Sequence, residues 1–407
     1  MQWIKGVLGR GLLVAALMGV NSAAQAEIAH ILLDTSGSMH SWQRWLDPSL
    51  KQLESRTVER VMQLGKVPGF GLVGFTEEAG ELATGWAEDI ACWHDNWIEM
   101  ASPAIDRSVR LLRALRALGY PFAMLGVHDD TELIREMIDR YRPDVIFNMV
   151  EQFANSLGNE KRITSFLELQ GVPISGCGST GITLSKDKVI SKKLLSYHNV
   201  RVPGFVVQQP GKLMELGPGM NFPLIVKPAR EEASYGISLK SVVNNEAELV
   251  NRVCFVHERF GQEALVEEFV EGREVYVGVM GNNRLQCLPP REMVWGREVP
   301  VQARFASYRV KWDDDYRKRW GIRNRFLPPL AKSAQRRLEV TCKEIYRHLQ
   351  LNGYARIDLR LTADNEFVFI EANPNPMLAR DEDFALSARK SGLGYPKLIE
   401  RIISLAA

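Results

Sequence analysis

Apolar positions along the chain switch between a spacing near two and a spacing near 3.6, and each switch marks an element. AHILLDTSGSM opens as a buried strand running into a Ser/Gly turn, the Leu-, Val- and Met-spaced stretch 42–64 has helical spacing, and FGLVGF reads as a second strand. From Pro103 the pattern cycles through a helix in RSVRLLRALRALG closed by Gly119, a strand in PFAMLGV, a helix in DDTELIREMIDRY opened by acidic residues, and a strand in DVIFNMV. Such alternation predicts a doubly wound parallel sheet. The stretch 158–193 carries Gly176, Gly178 and Gly181 and then a basic helix start, and Pro203 marks the crossing into a second α/β unit. Two strand pairs with a long helix over 330–349 between them, and a closing helix from Tyr395 to Leu405, complete the reading.

The segment YARIDLRLTADNEFVFIEANPNP holds two alternating runs joined at Asp364-Asn365, residues that tolerate the positive φ of a two-residue hairpin turn. Counting outward from that turn pairs Ala363 with Glu366, Asp358 with Glu371 and Arg356 with Asn373, and puts Arg356, Asp358, Glu371 and Asn373 on one face. Two carboxylates set opposite each other repel unless something positive lies between them. Magnesium suits that place, because it takes oxygen ligands from one or two carboxylates together with substrate phosphates, and Asn373 adds a third oxygen. The competing reading is a surface ion network in which Arg356 and Arg360 neutralise the pair.

A metal of this kind calls for a phosphate partner. FPLIVKPAREEASYG puts Lys227 at the end of an apolar strand before a loop closed by Gly236, and SKDKVISKK puts Lys188 near a helix N-terminus. Each lysine alone would ordinarily be a solvated surface group. ALVEEFVEGREVYVGV reads as an edge strand, a turn at Glu271-Gly272 and a second strand. Leu265, Val266, Phe269 and Val270 would wall an adenine there, with Glu267, Glu268 or Glu274 accepting from its amino group or from ribose; a plain hairpin accounts for the string equally well.

With 407 residues the chain has room for two or three domains, and 51 basic against 49 acidic side chains leave no single-sign run for a nucleic-acid groove or a polybasic membrane patch. A small charged substrate fits better. The cysteines, Cys92, Cys177, Cys254, Cys287 and Cys342, are odd in number and scattered, which argues against a disulfide scaffold or a zinc cluster and for buried thiols in a reducing compartment. Lys5 and Arg10 precede the apolar run GLLVAALMGV and an Ala-x-Ala pattern at Ala24 and Ala26, the form of a secretory leader over residues 1–26 and too short for a stable membrane span.

In order along the chain, SKDK, LIVKPARE, LVEEFVEGRE, VKW, GYARIDLR and FIEANPNP resemble the D-alanine–D-alanine ligase branch of the ATP-grasp superfamily from about residue 103 to the end. The resemblance implies an α/β chain in which an ATP-grasp fold follows an N-terminal doubly wound (pre-ATP-grasp) parallel-sheet domain. It divides the chain into a leader 1–26, a fragment 27–102, the N-terminal α/β domain 103–183, a small subdomain 184–264 and a large subdomain 265–407 with the metal site. It further implies an ATP-dependent ligase that forms a peptide bond between small amino acids or other carboxylates and amines, as in peptidoglycan precursor synthesis. Lys188 and Lys227 would hold phosphates; Glu267, Glu268, Val270 and Glu274 would line the adenosine pocket; and Gly236 would close the phosphate loop. Asp358, Glu371 and Asn373 would bind two magnesium ions, with manganese as the alternative. Arg356 would face the transferring phosphoryl group, Ser234 would stand in the loop, and Lys311 and Trp312 would form the Lys-aromatic pair of a lid. By analogy the assembly would be a homodimer.

Departures fall on the amino-acid side. Glu232, Ala233 and Ser234 replace a Gly-Ser-Ser string, so one hydroxyl is missing at Ala233, and EANPNPMLARDED replaces a Thr-Ser-Pro-Gly-Met segment and a later Ser-Leu pair. Use of ATP favours the cytoplasm, whereas the leader pattern favours export. HILLDTSGSM also resembles the opening strand of a von Willebrand factor A-type domain, in which Asp34, Ser36 and Ser38 would bind magnesium. That string is open to two readings: an exported metal-dependent binding module whose ligase portion is an inactive scaffold, or a strand that completes the N-terminal sheet of the ligase.

Overall fold

The computed structural model describes residues 29–34 and 103–406 apart from His128, Asn155, Leu213 and Met214. The leader, the expected helix over 42–64, FGLVGF, Cys92, Ser36 and Ser38 lie outside the described residues. The chain divides into two compact units, residues 1–179 with 378–380 and 393–407, and residues 180–377 with 381–392.

In the first unit, β1 (Ala29–Asp34), α1 (Pro103–Leu118), β2 (Phe122–Val127), α2 (Glu132–Tyr141) and β3 (Val145–Met149) follow the predicted alternation, and α3 (Glu160–Leu169) is a helix that the sequence pattern does not place. The sheet runs β2-β1-β3 and is parallel throughout, with Ala29 opposite both Phe122 and Val145. β1 thus completes the N-terminal sheet from its centre. Leu125, Ile134, Ile146, Ile163 and Leu167 form its core at 2 % exposure or less, the pattern expected where helices cover a parallel sheet.

The second unit begins with α4 (Ser179–Lys186), α5 (Lys188–Tyr197), β4 (Phe205–Gln208), β5 (Leu224–Pro228), β6 (Val242–Val243), α6 (Glu246–Phe260) and β7 (Ala264–Glu268). These strands form an antiparallel sheet in the order β4-β7-β5-β6, with α6 closing a core of Leu224, Val226, Leu249, Val256 and Val266. Helices α5 and α6 carry side-chain caps at their N-termini: Asp187 accepts from the Val189 and Ile190 amides, and Asn245 accepts from that of Glu248. There follow β8 (Arg273–Met280), β9 (Gln286–Cys287), β10 (Arg291–Val294), α7 (Tyr308–Trp312), α8 (Asp314–Arg319), β11 (Arg323–Phe326), α9 (Lys332–His348), β12 (Tyr354–Leu361), β13 (Phe367–Pro374) and α10 (Asp383–Lys390). A second antiparallel sheet runs β11-β10-β8-β12-β13, with β9 on β8. The closing helix α11 (Tyr395–Ala406), which the sequence grouped with the large subdomain, packs on α1 in the first unit and buries Leu398, Ile399 and Ile402.

Two local expectations are corrected. β7 and β8 are not a hairpin: β7 is an inner strand of the four-stranded sheet and β8 lies in the other sheet, so residues 269–272 carry the chain from one sheet to the other. Gly272 makes that passage at φ +150°, where an added Cβ would stand 2.4 Å from the Leu361 carbonyl oxygen. The turn between β12 and β13 holds three residues rather than two. The Glu366 carbonyl accepts from the Thr362 amide, and Asn365 takes φ +60°, so Ala363 does not face Glu366. The resulting register, Leu361 opposite Phe367 and Leu359 opposite Phe369, is one residue off the expected one, and a β-bulge at Ile370 restores it. Asp358 therefore faces Glu371, and Arg356 faces Asn373, as expected.

Candidate active site

The second unit holds a cleft between its two sheets, lined by Lys188, Lys227, Ser234, Glu267, Glu268, Val270, Glu274, Lys311, Asp358 and Glu371 among others. These residues, scattered along the sequence, thus meet in one place. Its apolar wall comprises Ile225, Ile237, Phe269, Val270, Phe305, Val368 and Ile370. Leu265 and Val266, expected in that wall, point instead into the two cores of the four-stranded sheet, because side chains of a strand alternate between faces.

At the metal-like end, Arg356 donates to Asp358 through Nε at 2.7 Å and Nη2 at 2.8 Å, and Asn373 Nδ2 donates to Asp358 Oδ2 at 3.1 Å. Lys311 Nζ stands 3.7 Å from Glu371 Oε1. Burial pushes the Asp358 carboxyl up to about 6 in spite of Arg356. Burial acts on Glu371 in the same direction, but the charges of Lys311, Lys188, Arg356 and Lys227 outweigh it and hold that carboxyl at about 2. No cluster of three or more His, Cys, Asp or Glu side chains able to hold a metal occurs among the described residues, so the candidate set is two carboxylates and one amide. That set fits a hard divalent ion that completes its shell with water or phosphate oxygens. The guanidinium on Asp358 and the ammonium near Glu371 are the positive charges standing at these carboxylates.

At the phosphate-like end, Lys227 Nζ lies 2.5 Å from Glu267 Oε2, and Lys192 Nζ lies 3.0 Å from Glu267 Oε1. Both oxygens of Glu267 are thereby taken by ammonium groups, which makes it an anchor for Lys227 within the pocket wall. Lys192, fully buried, also donates to the Ile370 carbonyl at 2.7 Å, the group that the bulge frees from the ladder. Lys188 donates to the Glu231 carbonyl, and burial lowers its pKa even though Glu371 and Glu232 oppose the shift. Glu268 Oε2 accepts from the Gly204 amide at 3.0 Å.

The loop 230–236 is held from several sides. Lys186 Nζ meets Glu232 Oε2 at 2.8 Å, Ser234 Oγ donates to the Ala306 carbonyl at 2.6 Å, and Trp312 Nε1 donates to the Ala233 carbonyl at 3.0 Å. The segment carrying Ala306 and Trp312 is thus tied to the loop through backbone acceptors, with no need of a hydroxyl at Ala233. Ala233 and Ser234 both adopt positive φ, 52° and 62°, an uncommon state for residues with a side chain. Gly236 is required at φ +73°, since a Cβ there would stand 2.6 Å from Pro228 Cγ and 2.7 Å from Phe260 Cζ.

Three residues escaped the sequence reading. Lys192 carried a signal, its spacing of four from Lys188 on α5. Arg360 has the sequence setting of a surface charge, yet it is buried and pairs with Glu274 Oε2 at 3.2 Å. Tyr276, whose hydroxyl donates to Glu274 Oε1 at 2.9 Å, had no local signal. Of the four described cysteines, Cys177 and Cys342 are buried as expected, whereas Cys254 is exposed and Cys287 half-buried.

Residues 193–404, just over half of the chain, match the family described as the D-ala D-ala ligase C-terminus. A Sinorhizobium fredii protein, y4sG, is 32 % identical over 268 residues, covering 63 % of this chain and 74 % of its own. The D-alanine–D-alanine ligase of Syntrophotalea carbinolica is 30 % identical over 253 residues, covering 61 % and 75 %. The fold is that of the Bacillus anthracis D-alanine–D-alanine ligase solved with ATP, at a TM-score of 0.62 and 16 % identity over 94 % of this chain and 97 % of that one. With every ordered motif from LIVKPARE onward lying within the matched stretch, and SKDK just before it supplying Lys188 to the same cleft, the chain belongs to the D-alanine–D-alanine ligase family.

Proposed function

We propose that the chain is an ATP- and Mg2+-dependent carboxylate–amine ligase that joins small amino acids through an acyl phosphate. The observation that carries this reading is the facing pair Asp358 and Glu371 on the cleft that also holds Lys188, Lys227 and Lys311. In the proposed reaction the carboxylate of one substrate attacks the γ-phosphate of ATP and expels ADP to give the acyl phosphate, and the amine of a second attacks its carbonyl carbon, expelling phosphate and giving up a proton to leave an amide. Lys188 and Lys227 hold phosphate oxygens once their present partners, the Glu231 carbonyl and Glu267, share them with the nucleotide. The apolar wall takes adenine, and Glu274, fixed by Arg360 and Tyr276, takes the ribose hydroxyls. Asp358, Glu371 and Asn373 would hold the ions, and Arg356, beside Asp358, would face the transferring phosphoryl group and the oxyanion that forms next. Magnesium, when bound, supplies the positive charge that offsets the phosphates.

Glu232, the missing hydroxyl at Ala233 and the ARDED segment leave the acid and amine partners as the finer question, with D-alanine the first pair to test. The site draws on ATP, which favours a cytoplasmic setting; among the described residues no helix is long and apolar enough to cross a membrane. A homodimer is the proposed assembly by analogy. The reading of the ligase portion as an inactive scaffold has no support, since the carboxylates and lysines of the cleft are all present.

Phosphate release from Mg-ATP across D- and L-amino acids, with mass detection of products, tests the reading. Asp358→Ala and Lys227→Ala should each lower turnover by at least about a thousandfold, the scale of removing a group that stabilises transition-state charge. Unchanged turnover in both variants would reject the proposal.

A further inference from the structure

One face of the larger sheet carries three cross-strand rows: Glu274 opposite Arg360, Tyr276 opposite Asp358, and Gly278 opposite Arg356. Tyr276 occupies the middle row and touches the other two. Its hydroxyl donates to Glu274 Oε1 at 2.9 Å, and its ring lies 5.1 Å beneath the guanidinium carbon of Arg356. The ring is 6 % exposed, so both contacts are made away from solvent, where a hydrogen bond to a carboxylate and a cation–π contact are strongest. Glu274 Oε2 is held separately by Arg360 Nη2 at 3.2 Å and by the Ala306 amide at 3.3 Å. Arg356 has one further anchor, the bidentate pair with Asp358.

We infer that Tyr276 is a positioning residue, holding Glu274 through its hydroxyl and Arg356 through its ring, and so setting the distance between the ribose end and the phosphoryl end of the site. This rests on the ligase reading above. Asp358 is itself a candidate ligand of the ions, so the Tyr276 ring is the support of the guanidinium that ion binding there would leave in place. The hydroxyl and the ring act on different groups, which lets them be separated by substitution. Tyr276→Phe keeps the ring and removes the hydroxyl, whereas Tyr276→Leu removes both.

The full-length chain, Tyr276→Phe and Tyr276→Leu are compared in ATP affinity by calorimetry, in discrimination between ATP and 2′,3′-dideoxy-ATP, in kcat and KM, and in thermal unfolding. Phe should weaken ATP about fivefold and erode the preference over the dideoxy nucleotide while leaving kcat within about twofold, because only a hydrogen bond to Glu274 is lost. Leu should weaken ATP similarly and lower kcat by at least about tenfold, the scale of a buried cation–π contact. A merely structural tyrosine would lower thermal stability and shift kcat and KM together in both variants. The inference is overturned if Phe matches the unmodified chain in ATP affinity and discrimination, or if Leu matches Phe in kcat. An unmodified chain that binds ATP but turns over no substrate rejects the ligase reading instead, and the affinity and discrimination series still decides whether Tyr276 sets Glu274.

Discussion

Lys192 is an ammonium group with no exposed surface, surrounded by Glu267, the Ile370 carbonyl and the Phe369 ring at 5.0 Å. Burial lowers its pKa and the Glu267 charge opposes that, so the ion is held by geometry that only the folded chain supplies. Removing one member of a buried ion pair leaves the other charge poorly compensated and costs about 3 kcal/mol. Lys192→Met should therefore lower stability by about that amount in denaturant unfolding. It should also weaken ATP binding, because Glu267 would then rest on Lys227 alone. A variant as stable as the parent would mean that Glu267 is neutralised in some other way. This residue was partly legible. In SKDKVISKK, helical phase separates Lys188 and Lys192, which point inward, from exposed Lys193, but nothing local says that the inward face meets a carboxylate on β7.

At the scale of elements, the hairpin β12–β13 shows how much pattern can decide and where it stops. Period-two alternation and the Asp-Asn dipeptide were enough to place Asp358 against Glu371. The inferred turn, however, was one residue too short, and the bulge that compensates for it left no trace in the alternation. The bulge also does something a regular strand does not do: it sets Ile370 and Glu371, neighbours in sequence, both against the cleft, one beside the apolar wall and one at the carboxylate pair. Deleting Ile370 would leave Asp358 facing Glu371 in an unbroken ladder. It would also remove the apolar contact and the carbonyl that Lys192 uses. The expected outcome is a folded chain whose ATP affinity falls by at least about tenfold, consistent with about 1.5 kcal/mol or more from one buried apolar side chain, measured by calorimetry. Retained affinity would show that the bulge serves register alone.

Across the whole molecule, the β2–α2–β3 part of the parallel sheet was readable because strand and helix signals alternate there over short distances, whereas the central place of β1, far back in sequence, and the two antiparallel sheets were not. β5 lies between β6 and β7, and β7 also pairs with β4, more than fifty residues back, which no local period reports. Glu271-Gly272 has the composition of a hairpin turn and in fact joins two sheets, a distinction set by the close approach of Gly272 to Leu361. The division into two compact units, each with buried apolar clusters of its own, has a thermodynamic consequence. A chain so built need not unfold in one step. Every residue assigned to the nucleotide lies in the second unit, from Lys188 to Asn373, so Mg-ATP stabilises that unit alone. At a hundred times its dissociation constant a ligand adds about 2.7 kcal/mol to the form it binds. Scanning calorimetry should therefore resolve two transitions, one of which moves up by several degrees with Mg-ATP while the other stays in place. If both move together, the two units unfold as a single cooperative body, and ligand stabilisation reaches the parallel sheet as well.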